Sequence, residues 1–304
     1  MSAPLAIDYG DTPRVHAVDL PVAMLSLAVS RGGNRSRLMA GTGLFDADLA
    51  NAERRISPHQ FSRLLRNIVN ASQGEDVPFL LGLRHAHIAR QRHPLQCWLS
   101  NWPALSPSVS PLWSPVIWQA DGSTWLTWQG SHEGGDFPPW QAEACAALTT
   151  ELLRSRFGPD VVWHYHFRHH RPAHVEQYDA HLAGHASFGM PADLVRIDAT
   201  PTIAPAPHLA PDAAPFLDRV RQLLPSDDLP TAATALGLSP ATLKRRLRAH
   251  GTHFQQQLDQ HRRLELIKRL TSATPLAAPS ANLARDTRRI TGVSFSQLRQ
   301  VFGH

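Results

Sequence analysis

The densest chemistry in the sequence lies between Ala241 and Arg248, where Ala-Thr-Leu-Lys-Arg-Arg-Leu-Arg packs four cations around two leucines. At about 100° per residue, Leu243 and Leu247 point one way, and Ala241, Arg245 and Arg248 fall near the opposite face with Thr242 and Lys244 on its flanks. Such a face matches the edges of base pairs. Arg can bridge the two acceptors of guanine, Lys reaches guanine or phosphate, and Ala or the Thr methyl can meet a thymine methyl. Ala241, Thr242, Lys244, Arg245 and Arg248 are therefore candidates for base contact. Arg246 sits nearer the flank and is a candidate for phosphate, as are Arg285, Arg288 and Arg289 further on. A solvated basic helix in a bundle would show the same charges, so the flanking signals have to discriminate.

Those signals are present. Asp228 can cap a short helix whose apolar positions Leu229, Ala232, Ala233 and Leu236 repeat with helical spacing. Gly237 follows as a turn residue, Ser239 caps a second helix with Pro240 at its first position, and Gly251 ends it. A small Ala233, a turn Gly237 and an inward Leu243 have the spacing of a helix-turn-helix over 228–251.

Other chemistries fit less well. Seven histidines (His164, His166, His169, His170, His174, His181, His185) lie within 22 residues, and His164 with His166 would share a strand face, as a metal site can require. They face away from Trp163, Tyr165 and Phe167, which makes them the exposed side of a half-buried strand. A metal-dependent hydrolase with Glu176 or Asp179 as base is the enzyme alternative. Gly184-His-Ala-Ser-Phe-Gly189 has the wrong spacing for a nucleophile elbow, and neither GxGxxG nor a P-loop occurs. No catalytic residue, metal or cofactor is expected. Trp98, Trp102, Trp113, Trp118, Trp125 and Trp128 read as core and hairpin packing, or alternatively as lining for an apolar effector pocket. Cys97 and Cys145 read as small buried hydrophobes, with redox sensing as the alternative.

The 304 residues suggest two domains. With 42% apolar and 18% charged residues, disorder throughout is excluded. Two cysteines exclude a disulfide scaffold, no apolar run approaches the ~18 residues of a membrane span, and no secretory signal is evident. A cytoplasmic protein without a membrane partner is expected. The formal charge of +5 is uneven. From Ser226 onward twelve Lys/Arg face five acids, a balance of +7, which leaves −2 for residues 1–225. A basic tail on a mildly acidic body suggests a polyanion partner.

Upstream, the periodicity predicts an α+β domain over 1–212. Val15 to Ser30 has helical spacing. Ser57-Pro58-His59-Gln60 opens a helix with a capping box, and Phe61, Leu64, Leu65 and Ile68 form its inner face. Val116–Gln119 and Thr124–Trp128 flank an Asp-Gly turn as a hairpin. Glu143 to Arg156 and Val175 to Leu182 are helical in spacing. Val161 to Phe167 and Leu194 to Ile197 read as strands. Thr200 to Pro215, with five prolines, is the expected linker. An all-α domain then occupies 213–304.

Leu236-Gly-Leu-Ser-Pro-Ala-Thr-Leu-Lys-Arg-Arg-Leu, followed by Gly251-Thr-His-Phe-Gln, Arg262-Arg263 and Arg288-Arg-Ile-Thr-Gly-Val-Ser-Phe-Ser-Gln-Leu-Arg299, resembles the DNA-binding domain of AraC/XylS transcription regulators. Phe167-Arg-His-His-Arg-Pro-Ala-His, Tyr178, Phe188-Gly189, Leu44, Ile56-Ser57 and Leu81-Gly82-Leu83 are similar to the effector-binding and dimerisation domain of one branch. The resemblance implies two helix-turn-helix units, 228–251 and 275–299, joined by a linker helix within 252–271 whose Phe254, Leu258, Ile267 and Leu270 turn inward. It also implies double-stranded DNA as partner, RNA polymerase as a further one, a homodimer, a small-molecule effector of unknown site, and activation as the usual outcome. This sequence departs from the pattern in three places. The second unit is about eight residues short, without its own scaffold helix, and is expected to be loose. Thr287 replaces an aromatic. Gln257, His261 and Glu265 occupy usually aliphatic positions. A degenerate member acting as a ligand- or protein-binding module, without operator recognition, is the alternative.

Overall fold

The computed structural model describes residues 7–92, 110–158, 160–200, 214–224, 228–272 and 281–302. Strands β1 (Ile7–Asp8) and β2 (Val15–His16) precede helices α1 (Leu20–Ser30), α2 (Arg35–Met39) and α3 (Asp46–Ala50). The helix expected over Val15 to Ser30 is shorter than its apolar pattern. Pro21 fixes the first turn of α1 and disfavours helix before it, and Val15 instead pairs with Ile56 of β3 (Arg55–Ile56). In α4 (Pro58–Ala71), Ser57 and Gln60 form the capping box, and Phe61, Leu64, Leu65 and Ile68 are buried as the pattern predicts.

Helix α5 (Val77–Arg92) leads to a hairpin of β4 (Trp113–Ala120) and β5 (Ser123–Gly130), closed by Asp121 and Gly122, both at positive φ as a two-residue turn demands. Then follow α6 (Pro139–Phe157), β6 (Trp163–Phe167), α7 (Glu176–His181), β7 (His185–Phe188) and β8 (Leu194–Ile197). The five-stranded sheet has the order β4-β5-β8-β6-β7, antiparallel except for the β6–β7 pair. Because side chains alternate, one face carries Leu126, Trp163, Tyr165, Val195 and Ile197 into the main core with α1, α4, α5 and α6.

The remaining described residues form helices and their connections apart from β9 (Ala214–Pro215), which pairs parallel with β1. The helices are α8 (Phe216–Leu223), α9 (Leu229–Ala235), α10 (Pro240–Ala249), α11 (Phe254–Leu270), α12 (Ala281–Thr291) and α13 (Phe295–Phe302). The fold is thus α+β followed by an all-helical region. Two further cores draw on both. Ile7 and Tyr9 pack against the core of α8, α9 and α10. The second sheet face, with Trp125 and Leu194, packs against Leu266, Ile267, Leu270, Phe295, Leu298 and Phe302.

That packing corrects two expectations. His166 is not on a solvent face: it is buried, stacked on Trp125 with ring centroids 6.1 Å apart and met edge-on by Phe302 at 6.2 Å. The C-terminal helix, expected to be loose, is buried through Phe295, Leu298 and Phe302, because the sheet supplies the apolar surface that a scaffold helix would have supplied. A period-2 pattern shows which side chains share a face, and cannot show that a distant segment covers it. Of the linker expected over Thr200 to Pro215, residues 201–213 lie outside the described residues.

Candidate nucleic-acid interface

The first helix-turn-helix is built from local signals. Asp228 accepts the Thr231 N–H at 2.7 Å and starts α9, whose fully buried Ala232 and Ala233 are small enough for α10 to cross closely. Gly237, at φ +67, takes the left-handed conformation that lets its own N–H reach the Thr234 carbonyl and the Leu238 N–H reach that of Ala233. Ser239 Oγ accepts the Thr242 N–H at 3.2 Å, Pro240 occupies the first turn, and α10 closes with the same double carbonyl cap through Gly251 and Thr252. Leu243 and Leu247 are fully buried, each stabilising the orientation of α10 by about 1.5–3 kcal/mol.

The outer face of α10 is as the spacing predicts. Ala241, Lys244, Arg245 and Arg248 are exposed, and among the described residues no acidic side chain lies within ion-pairing distance of these three cations. Thr242 is half-buried with its hydroxyl 3.0 Å from Ser239 Oγ, which leaves its methyl available. Arg246 is placed differently. Its guanidinium lies 4.2 Å from the Tyr9 ring centroid and 3.9 Å from Asp11, so the segment after β1 competes with any phosphate for it.

The phosphate candidates of the second unit also divide. Arg285 and Arg288 are exposed on α12, whereas Arg289 makes a two-pronged pair with Asp259 of α11 at 2.9 and 3.0 Å. Thr287 and Ile290 are both buried, and the Ile290 carbonyl accepts from Arg263 of α11. The stretch 273–280, where the missing scaffold helix would lie, is outside the described residues.

A joint that the sequence does not announce clamps the base of α10. His250, capping α10, hydrogen-bonds through Nδ1 to the His132 carbonyl at 2.7 Å, and its own carbonyl accepts the Gly134 N–H at 2.9 Å. Gln257 is fully buried: its Nε2 donates to the Gly134 carbonyl at 2.7 Å, and its Oε1 accepts from Arg221 at 3.1 Å. A methyl on Gly134 would stand 2.5 Å from Thr252 Cγ2, so only glycine fits. The amide at a usually aliphatic position is thereby explained, because it satisfies backbone of the 132–134 loop. The rings of His59, His132 and His250 cluster with centroids 5.3 to 6.4 Å apart. Burial, then the neighbouring His250, drives the pKa of His132 well below the usual range, and burial also lowers that of His250.

The histidine-rich stretch does not converge on one point, although His169 and His174 both meet Tyr178, with His169 Nε2 3.3 Å from its hydroxyl. His164 pairs with Asp198 at 3.1 Å, His174 lies 3.4 Å from Glu143, and His169 hydrogen-bonds within its own loop at the His170 carbonyl. Among the described residues no group of three or more His, Cys, Asp or Glu is arranged to hold a metal ion. Cys145 is buried, and burial pushes its thiol well up, away from the reactive thiolate; Cys97, Trp98 and Trp102 lie outside the described residues. Trp113 and Trp125 are buried in cores, as packing predicts, while Trp128 lines a cleft. No helix among the described residues is long and apolar enough to cross a membrane.

No protein-family model matches the chain, and no curated protein matches it. Among solved structures, it is similar to the crystal structure of the transcriptional regulator CdpR from Pseudomonas aeruginosa, with 15% identity and a TM-score of 0.40 over 93% of this chain and 98% of that one. A likeness this distant carries no argument about function.

Proposed function

We propose that the chain is a sequence-specific DNA-binding transcription regulator that reads the major groove with α10 and responds to a small-molecule effector. One observation carries this reading: Lys244, Arg245 and Arg248 stand exposed and, among the described residues, unpaired on a helix whose ends are capped and whose back is anchored by two buried leucines. Lys244 and Arg245 read bases, helped by Ala241, Thr242 and Arg248. Arg285 and Arg288 meet phosphate, and Arg246 and Arg289 do so once their internal carboxylates are displaced. The role is binding rather than catalysis. Double-stranded DNA, RNA polymerase, a homodimer and a cytoplasmic location belong to the proposal as implications of the AraC/XylS resemblance, and 1–212 and 213–304 as its two functional parts.

Gel shifts against upstream DNA fragments at two salt concentrations test it. A preferred fragment, bound more tightly than random DNA at both salts, supports it. Weak binding with no preferred fragment and only salt sensitivity supports the second reading, a module without operator recognition. The engagement of Arg246 by Asp11 and of Arg289 by Asp259 favours that alternative.

A further inference from the structure

The cleft lined by Trp128 lies where the sheet meets α11. The cleft, about 80 Å³ in all, is bordered on its polar side by Arg168 after β6, Asp136 before α6, and Gln260 and Arg263 of α11. Thr127, Trp128, Phe137, Asp193 and Leu194 also border a second, smaller cavity of about 20 Å³ lined further by Cys145, Ala146 and Val195. The cleft itself already sets charged side chains beside the apolar Trp128, Phe137 and Leu194.

The cleft is short of acceptors for its guanidiniums. A single oxygen, Oδ1 of Asp136, holds Arg168 at 2.9 Å and Arg263 at 3.3 Å, and Gln260 Nε2 lies 3.4 Å from it. Arg263 directs Nε and Nη2 to the Ile290 carbonyl, at 3.0 and 2.8 Å, whereas the Arg168 side chain has Asp136 as its one acceptor among the described residues. The two guanidiniums repel: burial first, and then Arg168, lowers the pKa of Arg263. Asp193 does not satisfy these side chains: its carboxylate accepts the Arg168 backbone N–H at 2.8 Å and, among the described residues, forms no ion pair with either guanidinium. Arg221 also borders the cleft but is closed off by Asp218 at 2.9 Å and by Gln257.

We infer that this cleft is a binding site for a small aliphatic monocarboxylate, its carboxylate on the free donors of Arg168 beside Arg263 and its tail against Trp128, Phe137 and Leu194. A guanidinium presents a planar fork of donors that matches a carboxylate, which supplies the second acceptor the cleft lacks. The space is well below the ~150 Å³ cavity that takes a benzene, so the tail is short, about three to five carbons in all. Because Gln260 and Arg263 belong to α11, which carries the helix-turn-helix on its N-terminal side, occupancy bears on the geometry of α10. That regulatory consequence rests on the proposed function, but the binding itself does not.

Calorimetric titration of the full-length protein without DNA, at constant ionic strength, tests it with acetate, butyrate, isovalerate, the neutral butyramide and inorganic phosphate. Butyrate and isovalerate are expected to bind at least tenfold more tightly than butyramide, acetate or phosphate. Arg168→Gln is expected to weaken butyrate at least tenfold, and Arg168→Lys, which keeps charge and loses the fork, to give an intermediate value with an unchanged circular dichroism spectrum. Absence of binding by any carboxylate, butyramide equal to butyrate, phosphate equal to butyrate, or indifference to both substitutions overturns the inference. None of these outcomes touches the gel-shift result, so the two readings fail separately.

Discussion

The His250 ring hydrogen-bonds through Nδ1 to the carbonyl of His132, 118 residues earlier, at 2.7 Å. A carbonyl only accepts, so Nδ1 carries the proton and the neutral ring keeps its lone pair on Nε2. The end of the proposed recognition helix is therefore fixed by backbone of the loop that follows the hairpin. The orientation of α10 is tied to that loop as well as to its own scaffold helix.

Removing that ring should be costly. His250→Ala leaves a buried carbonyl unsatisfied and opens space among aromatic rings, so urea denaturation should show a loss of about 1–3 kcal/mol. His253→Ala, at an exposed position three residues on, should change stability by less than about 0.5 kcal/mol.

Acid should weaken the packed sheet face through His166. Burial first, then the nearby charges of Arg196 and His164, lowers its pKa to about 4, below the 6.5 of an unperturbed histidine. Between those values the unfolded chain binds a proton that the folded chain refuses. Stability from this residue is thus complete above pH 6.5 and falls as pH drops toward 4, by about 3 kcal/mol in all. His166→Phe should flatten that part of a chemical-denaturation pH profile, and an unchanged slope would remove the assignment.

Base reading by Arg245 should show as lost discrimination. Arg245→Ala is expected to relax preference at one base pair by about 1–3 kcal/mol while leaving binding to random DNA nearly intact. Lys244→Ala should cut specific binding as well. Equal weakening on specific and random DNA would make these residues phosphate contacts instead.

How much of this was legible in the sequence divides along chain distance. Ser57, Asp228, Gly237, Ser239 and Gly251 act on neighbours within a few residues, and each sits where its local chemistry predicts. Strand faces were legible because alternation is local too. The partners of those faces were not, since nothing near His166 signals Phe302, and nothing near Arg246 signals Tyr9 and Asp11. Gln257 did carry a signal: an amide where an aliphatic side chain usually packs demands a buried polar partner, and Gly134 is that partner.

The same distance dependence sets the expectation for Phe302. It meets Trp125 edge-on at 5.8 Å, and its truncation leaves a void that the sheet cannot close. Phe302→Ala should cost about 3–5 kcal/mol in thermal or urea unfolding, near the range for core aromatics.

The face shared by Trp125, Leu194, Leu266, Ile267, Leu270, Phe295, Leu298 and Phe302 also bears on how the molecule can be cut. A fragment starting at 213 would carry its six aliphatic and aromatic members from α11 and α13 into water as one contiguous patch, the kind of surface that drives aggregation. Ile7 and Tyr9 would leave the other helical core at the same stroke. Excised for expression, the helical region would precipitate or need a solubilising fusion, whereas the intact chain keeps those surfaces dry.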